Sequence, residues 1–330
     1  MVSRLAVNIL SIRGHELTLG TFLPEYIFVM RQWATRLVYS NRFCRGLYKS
    51  VSAIRAKQRS ITRATSKLFS KGYSAPPTEA GRIHRTLCRY RQQFSKTPGW
   101  FLDEAQVAWD CLFSYQEQQH ICGNLMEIGV WRGKSAALST LHARSDETCV
   151  YVDPIMLAEF KDTIGLIRHS NSIFVESSSE VLPETPHVMQ MESTFRWIHI
   201  DGEHSGESVQ RDLTVALGLI AEDGLICIDD FPSCAYPQII VAVTEFLRRH
   251  PQLTMIMCGH NKGYICCESS SETYRKFIRD NLHREMSNRG ADVTIWKSGR
   301  PSDWNCFGIT DRVERFDYRG PDWNPRKIEI

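Results

Sequence analysis

The stretch Glu127-Ile128-Gly129-Val130-Trp131-Arg132-Gly133-Lys134-Ser135 decides the fold. An apolar run over 125–130 enters a turn holding two glycines, and 135–143 then reads as a helix. A strand that passes through a glycine turn into a helix is the opening half of a βαβ unit. The pattern recurs downstream. Further strands are predicted at 149–152, 172–175, 197–200 and 225–228, with helices at 156–169, 183–191 and 208–220 between them. Strands alternating with helices imply parallel pairing and a doubly wound α/β sheet. The strands are nearly continuous apolar runs, as expected where both sheet faces are covered.

Working outward, 103–119 reads as a helix before the first strand, and 237–249 as one after the fifth. Two short strands, 254–257 and 264–267, flank Cys258-Gly259-His260-Asn261-Lys262-Gly263, which predicts an antiparallel hairpin at the sheet edge. The expected sheet therefore has seven strands. Residues 271–288 read as a last helix, and the tail from Ala291, rich in Trp, Gly, Pro and Arg, shows no period.

The chain of 330 residues has 42% hydrophobic and 23% charged residues, ordinary values for a globular protein. It has no apolar run long enough for a membrane-spanning helix. The first ten residues make a poor signal peptide, their apolar run being broken by Asn8. Eleven cysteines without a CxxC pair suggest reduced thiols and a cytoplasmic location. The net charge of +3 hides an asymmetry: residues 1–96 hold 18 Lys and Arg against 3 Asp and Glu, and the rest holds 22 against 34. Residues 1–75 thus form a basic arm and linker, with a helical period from Leu23 to Ile54 and a break at Pro76-Pro77. The arm suits packing on the body, a second subunit in a homo-oligomer, or an anionic membrane surface. Nucleic acid is disfavoured, because no nucleic-acid module accompanies the charge. The remaining chain divides at 270 into the sheet domain, 76–270, and a C-terminal helix with its tail, 271–330.

In an open α/β sheet, ligands bind beyond the carboxyl ends of the strands. Gly129 and Gly133 let backbone pass close to a ligand there, and the helix starting near Lys134 offers free N–H groups to a carboxylate. Asp153 ends the second strand, where an acidic side chain can accept from two ribose hydroxyls or simply precede Pro154 in a surface loop. Glu176-Ser177-Ser178-Ser179 ends the third strand, with short polar groups that suit an adenine edge or a helix cap. Asp201, Asp229 and Asp230 end the fourth and fifth strands. Carboxylates concentrated there repel one another unless a cation or proton is present, and oxygen ligands suit Mg²⁺ or a similar hard ion. The alternative is that each caps its own loop. His204 follows Asp201 by three residues, at a place where an imidazole can take a proton near neutral pH. A zinc site from Cys258, His260, Cys266 and Cys267 is disfavoured, since adjacent strand residues point to opposite faces.

Glu127–Ser135, Val152-Asp153-Pro154, Ile198-His199-Ile200-Asp201-Gly202-Glu203-His204-Ser205 and Ile228-Asp229-Asp230 together resemble the class I S-adenosylmethionine-dependent methyltransferases. The closest likeness is to the group with macrocin-type sugar O-methyltransferases and cephalosporin-hydroxylase-like proteins, over about residues 97–270. The resemblance implies a Rossmann-like methyltransferase sheet. It also implies that Glu127, Gly129, Gly133 and Ser135 hold the methionine end of S-adenosylmethionine, Asp153 the ribose, and Ser178 the adenine. By the same resemblance Asp201, Asp229 and Asp230 bind a divalent metal, and His204 is the general base beside Asp201. A small-molecule or sugar hydroxyl is the implied acceptor. The family's Gly-Asp-Ser is Glu176-Ser177-Ser178 here, which weakens the adenine assignment.

Overall fold

The computed structural model describes residues 80–185, 188, 190–297 and 305–312. The basic arm read over 1–75 lies outside the described residues, as does part of the helix expected over 183–191.

In chain order, α1 (Ala80–Phe94) and α2 (Asp103–Gln118) precede β1 (Asn124–Ile128) and α3 (Lys134–Leu141). Then come β2 (Cys149–Asp153), α4 (Ala158–Gly165), β3 (Ser172–Glu176), a 3-10 turn at Ser179–Glu184 and β4 (Phe195–Ile200). The second half runs α5 (Gly206–Leu219), β5 (Ile220–Asp229), α6 (Pro237–Arg249), β6 (Leu253–Gly259) and β7 (Lys262–Cys267). The last elements are α7 (Glu268–Phe277), a π turn (Ile278–Leu282), α8 (His283–Asn288), β8 (Val293–Lys297) and β9 (Phe307–Asp311).

All nine strands form one sheet in the order β3-β2-β1-β4-β5-β7-β6-β9-β8. Strands β1 to β5 pair in parallel, and β7 runs antiparallel against both β5 and β6. The expected doubly wound sheet with an antiparallel hairpin is therefore present, with two more strands than the seven expected. Both come from the tail that showed no overall period. Val293 and Ile295, like Phe307 and Ile309, point inward with a polar or small residue between them. That alternation is the strand signature, and the Trp- and Pro-rich composition around it concealed it.

The same period of two sorts the central strands into two cores. Leu125, Tyr151, Trp197, Leu225 and Cys227 face the layer that holds α1, α2 and α3. Met126, Ile128, Val150, Val152, Ile198, Ile200, Ile226 and Ile228 face α5 and α6. Trp109 of α2 meets the Trp197 ring edge-on at 4.9 Å. Helix α1 was not expected, yet Leu87, Tyr90 and Phe94 recur at helical spacing and are all buried. The Tyr90 hydroxyl donates to the Lys134 carbonyl, which pins α1 to the first turn of α3. The ten described cysteines are unpaired. Among the described residues no helix is long and apolar enough to cross a membrane.

Strand order reverses between β1 and β4: the chain moves outward to β2 and β3, then returns to the other side of β1. Connections leave in opposite directions there, so the carboxyl ends of β1 and β4 open into a crevice.

Candidate active site

A cleft of about 860 Å³ occupies that crevice. Its walls come from the β1–α3 turn, the ends of β2, β4 and β5, the Ser177–Glu180 segment, and Gly99, Trp100, Phe101, Tyr236 and Asn261.

On the β1–β2 side the polar groups are engaged by the protein itself. Ser135 donates to Glu127 Oε1 at 2.5 Å, and Glu127 is buried with Oε2 unpartnered. Asp153 Oδ2 accepts from the Val130 and Trp131 N–H groups at 2.9 and 3.0 Å, and Oδ1 from Ile155 N–H at 2.9 Å. Asp153 thus ties down the glycine turn and keeps lone-pair capacity on Oδ1 for a further donor. Ser178 lines the cleft and also accepts from Glu180 N–H at the start of the 3-10 turn. Gly129 and Gly133 have φ of 84° and 81°, in the left-handed region. A Cβ at Gly129 would lie 1.9 Å from the Asp201 carbonyl oxygen, and one at Gly133 would lie 2.8 Å from the Phe160 ring. Beyond the room expected for a ligand, these glycines also admit the end of β4 and the side of α4.

On the β4–β5 side carboxylates outnumber cations. Asp229, at the end of β5, is ion-paired with Lys262, its register partner on β7, and both are buried. The Lys262 ammonium also lies 5.4 Å from the Phe101 ring centre and 5.9 Å from that of Trp109. Asp229 is hydrogen-bonded to Asp201. Burial and the neighbouring Asp229 charge push the Asp201 carboxyl well above the usual carboxylate range. Burial also opposes ionisation of Asp229, yet the Lys262 ammonium outweighs it and holds Asp229 low. The two environments thus push the pair apart, favouring the negative charge on Asp229 over Asp201.

Asp230 faces elsewhere. Its backbone is left-handed, with φ of 54°, and its carboxylate takes Asn261 Nδ2 at 2.6 Å and His204 Nε2 at 2.8 Å. The His204 ring stacks on Tyr236 at 4.2 Å, and its carbonyl accepts from Gln238 Nε2. Behind them His199 is fully buried, with Nδ1 3.2 Å from Glu127 Oε1 and Nε2 3.8 Å from Asp229 Oδ2.

The donor atoms of Asp201, His204 and Asp230 lie within 4.8 Å of one another, as do those of His199, Asp201 and Asp229. Asp201 belongs to both groups, whereas Asp229 and Asp230 belong to one each. The three aspartates thus all reach the crevice, but as two groups joined at Asp201. Consecutive residues at a strand end point in different directions, which separates Asp229 from Asp230.

Sequence reasoning missed Lys262, Asn261, His199, Tyr236 and the Trp100–Trp131 pair. A lysine in a hairpin turn reads as solvent-facing, and only the β5–β7 register brings Lys262 against Asp229. His199 had a visible signal: it sits between Ile198 and Ile200, both core residues. Trp100 and Trp131 stack at 5.2 Å on the rim, the former 87% exposed.

Residues 126–231 match the family model described as "Methyltransferase domain". The match runs from β1 to just beyond Asp230 and takes in all the site residues expected from the sequence. No curated protein matches the chain. Among solved structures, the O-methyltransferase NovP is 18% identical, with 48% of this chain and 78% of that one covered and a TM-score of 0.41. The TDP-rhamnose 3'-O-methyltransferase CalS11 is 13% identical, with 60% and 98% covered and a TM-score of 0.39. The SAH-bound methyltransferase PaMTH1 of Podospora anserina is 16% identical, with 64% and 96% covered and a TM-score of 0.40. The motifs that resemble those of class I S-adenosylmethionine-dependent methyltransferases all fall within this match to a methyltransferase-domain model, which is consistent with that resemblance.

Proposed function

We propose that the chain is an S-adenosylmethionine-dependent O-methyltransferase that uses a divalent cation, Mg²⁺ or a similar hard ion, to methylate a hydroxyl of a small molecule or sugar. One observation carries the reading: a single cleft joins cofactor-type donors at the ends of β1 and β2 to an under-neutralised carboxylate group with an imidazole at the ends of β4 and β5. The residues fit a divalent ion. Glu127, Asp201, Asp229 and Asp230 converge on one region, where Lys262 is the one Lys or Arg paired with them among the described residues. The raised proton affinity of Asp201 marks a place where positive charge is wanted.

Asp201 and Asp230 would hold the cation, with Asp229 supporting Asp201 from its pair with Lys262. Ser135 and the first N–H groups of α3 would take the methionine carboxylate, Asp153 Oδ1 a ribose hydroxyl, and Ser178 the adenine edge. S-adenosylmethionine supplies an electrophilic methyl group, and the cation makes a nearby hydroxyl easier to deprotonate. His204 takes that proton. Asp230 accepts the Nε2 hydrogen of His204, which leaves Nδ1 as the basic atom and fixes the ring. The stacked Trp100 and Trp131 offer the acceptor's ring a flat apolar face at the cleft mouth.

His204→Ala should lower kcat roughly 10²–10⁴-fold while calorimetric affinity for S-adenosylmethionine is unchanged. Excess EDTA should remove the activity and Mg²⁺ restore it. A metal-free methyltransferase is the second reading, and the Lys262 ammonium, already seated on Asp229, favours it. Full activity in EDTA would select that reading.

A further inference from the structure

A second group of metal-type ligands lies outside the cleft. Glu104 belongs to the first turn of α2, His260 to the turn between β6 and β7, and Asp311 to the end of β9. Their donor atoms lie within 4.8 Å of one another. His260 Nδ1 is 3.6 Å from Asp311 Oδ1. The His260 side chain is only 6% exposed, and its Nε2 is buried without a hydrogen-bond partner. A buried imidazole nitrogen left unpaired is costly and asks for an explanation, an ion being one. Among the described residues neither Glu104 nor the exposed Asp311 is ion-paired with a lysine or arginine, so the two carboxylates beside the imidazole have no fixed cation.

We propose that Glu104, His260 and Asp311 form a second divalent-metal site, suited to a borderline ion such as Zn²⁺ and separate from the carboxylate cluster of the cleft. One imidazole and two carboxylates are a zinc-type donor set, and they leave a fourth position for water. A zinc site joining His260 to Cys258, Cys266 and Cys267 was disfavoured from the sequence. The actual neighbours of His260 are acidic, and the group comes from three separate elements.

The location gives such an ion a consequence. The turn that carries His260 also carries Asn261 and leads into Lys262 at the start of β7, and these two hold Asp230 and Asp229. His260 and Asn261 both have left-handed backbone, with φ of 49° and 67°. An ion joining this turn to α2 and β9 clamps the segment that positions two cleft carboxylates, without itself entering the cleft.

The test is a calorimetric titration of the untagged, chelator-stripped full chain with Zn²⁺ in excess Mg²⁺, run beside thermal unfolding. The wild-type chain should bind Zn²⁺ and unfold at a higher temperature with it. His260→Ala and Glu104→Gln should each weaken that binding at least 10-fold and lose the thermal shift. Asp230→Asn, in the cleft, should keep both. If His260→Ala does not fold, Glu104→Gln decides, since that side chain is only partly buried. Unchanged Zn²⁺ binding in Glu104→Gln, loss of it in Asp230→Asn alone, or no Zn²⁺ binding by the wild-type chain would overturn the proposal.

Discussion

The two sides of the cleft solve opposite problems. On the β1–β2 side most polar groups are engaged before any ligand arrives: Asp153 holds three backbone N–H groups, Ser135 is bonded to Glu127, and Ser178 caps a turn, with Glu127 Oε2 the exception. On the β4–β5 side burial and the Asp229 charge push the Asp201 carboxyl upward, and Asp229 depends on one lysine. The first side is preorganised, so a ligand meets a shape already fixed. The second is electrostatically unfinished, with net negative charge in a half-closed space. A methyl donor that is itself a cation and a divalent metal would both favour the second side, while the first supplies geometry.

Removing the lysine should break this division most severely. Lys262→Met would leave Asp229 buried, charged and unpaired, and losing one partner of a buried pair typically costs about 3–5 kcal/mol. Chemical denaturation should show a loss of that size, and adding Asp229→Asn should recover most of it, because neither charge then remains. A Lys262→Met chain within about 1 kcal/mol of wild type would mean that something other than Lys262 neutralises Asp229.

The preorganised side is tested next. Gly129 and Gly290 have nearly the same φ, 84° and 83°, but a Cβ at Gly129 would meet the Asp201 carbonyl whereas one at Gly290 would meet nothing within 4 Å. Gly290→Ala should cost about 1 kcal/mol, the left-handed backbone term alone. Gly129→Ala adds a backbone collision and should cost roughly 2–3 kcal/mol. Equal losses in the two variants would show that β1 and β4 can separate freely, and the idea of a fixed cofactor side would fail.

Both sides were partly legible in the sequence. The strand–helix alternation and the positions of Asp153, Asp201, His204, Asp229 and Asp230 at strand ends follow from local periodicity, which a linear reading captures. Pairings fixed by register did not. Lys262 against Asp229 and Asn261 against Asp230 depend on how β7 aligns with β5, and nothing local in Asn261-Lys262-Gly263 announces it. Gly129 was visible and lines the cleft, but the β4 backbone that also packs on it arrives about 70 residues later and was not legible. The strands β8 and β9 had the right alternation, five residues each, and were lost among tryptophans and prolines.

A smaller effect sharpens the picture of the acidic side. Asp212 of α5 is 1% exposed, and its Oδ1 has no hydrogen-bond partner. It lies behind the Asp201–His204 loop, where a Cβ on Gly202 would be 3.1 Å from Oδ2. Burial raises its carboxyl to about 6, against a partial offset from a hydrogen bond with Ser179 and from Arg211. Between its ordinary value of 3.8 and about 6 the folded chain therefore binds more protons than the unfolded chain. Stability from this group is complete at low pH and is lost as pH rises through 6. Asp212→Asn removes that loss. The ceiling is about 3 kcal/mol at about 1.4 kcal/mol per pH unit, and an amide short of partners should return roughly half of it. Relative to wild type, then, Asp212→Asn should be about 1–2 kcal/mol less stable at pH 4, gain between pH 4 and 6, and be about 1–2 kcal/mol more stable at pH 7. Urea melts of both chains across that range give the difference directly. A constant offset at every pH would mean that Asp212 stays ionised throughout, and that the acidic side has found it a partner.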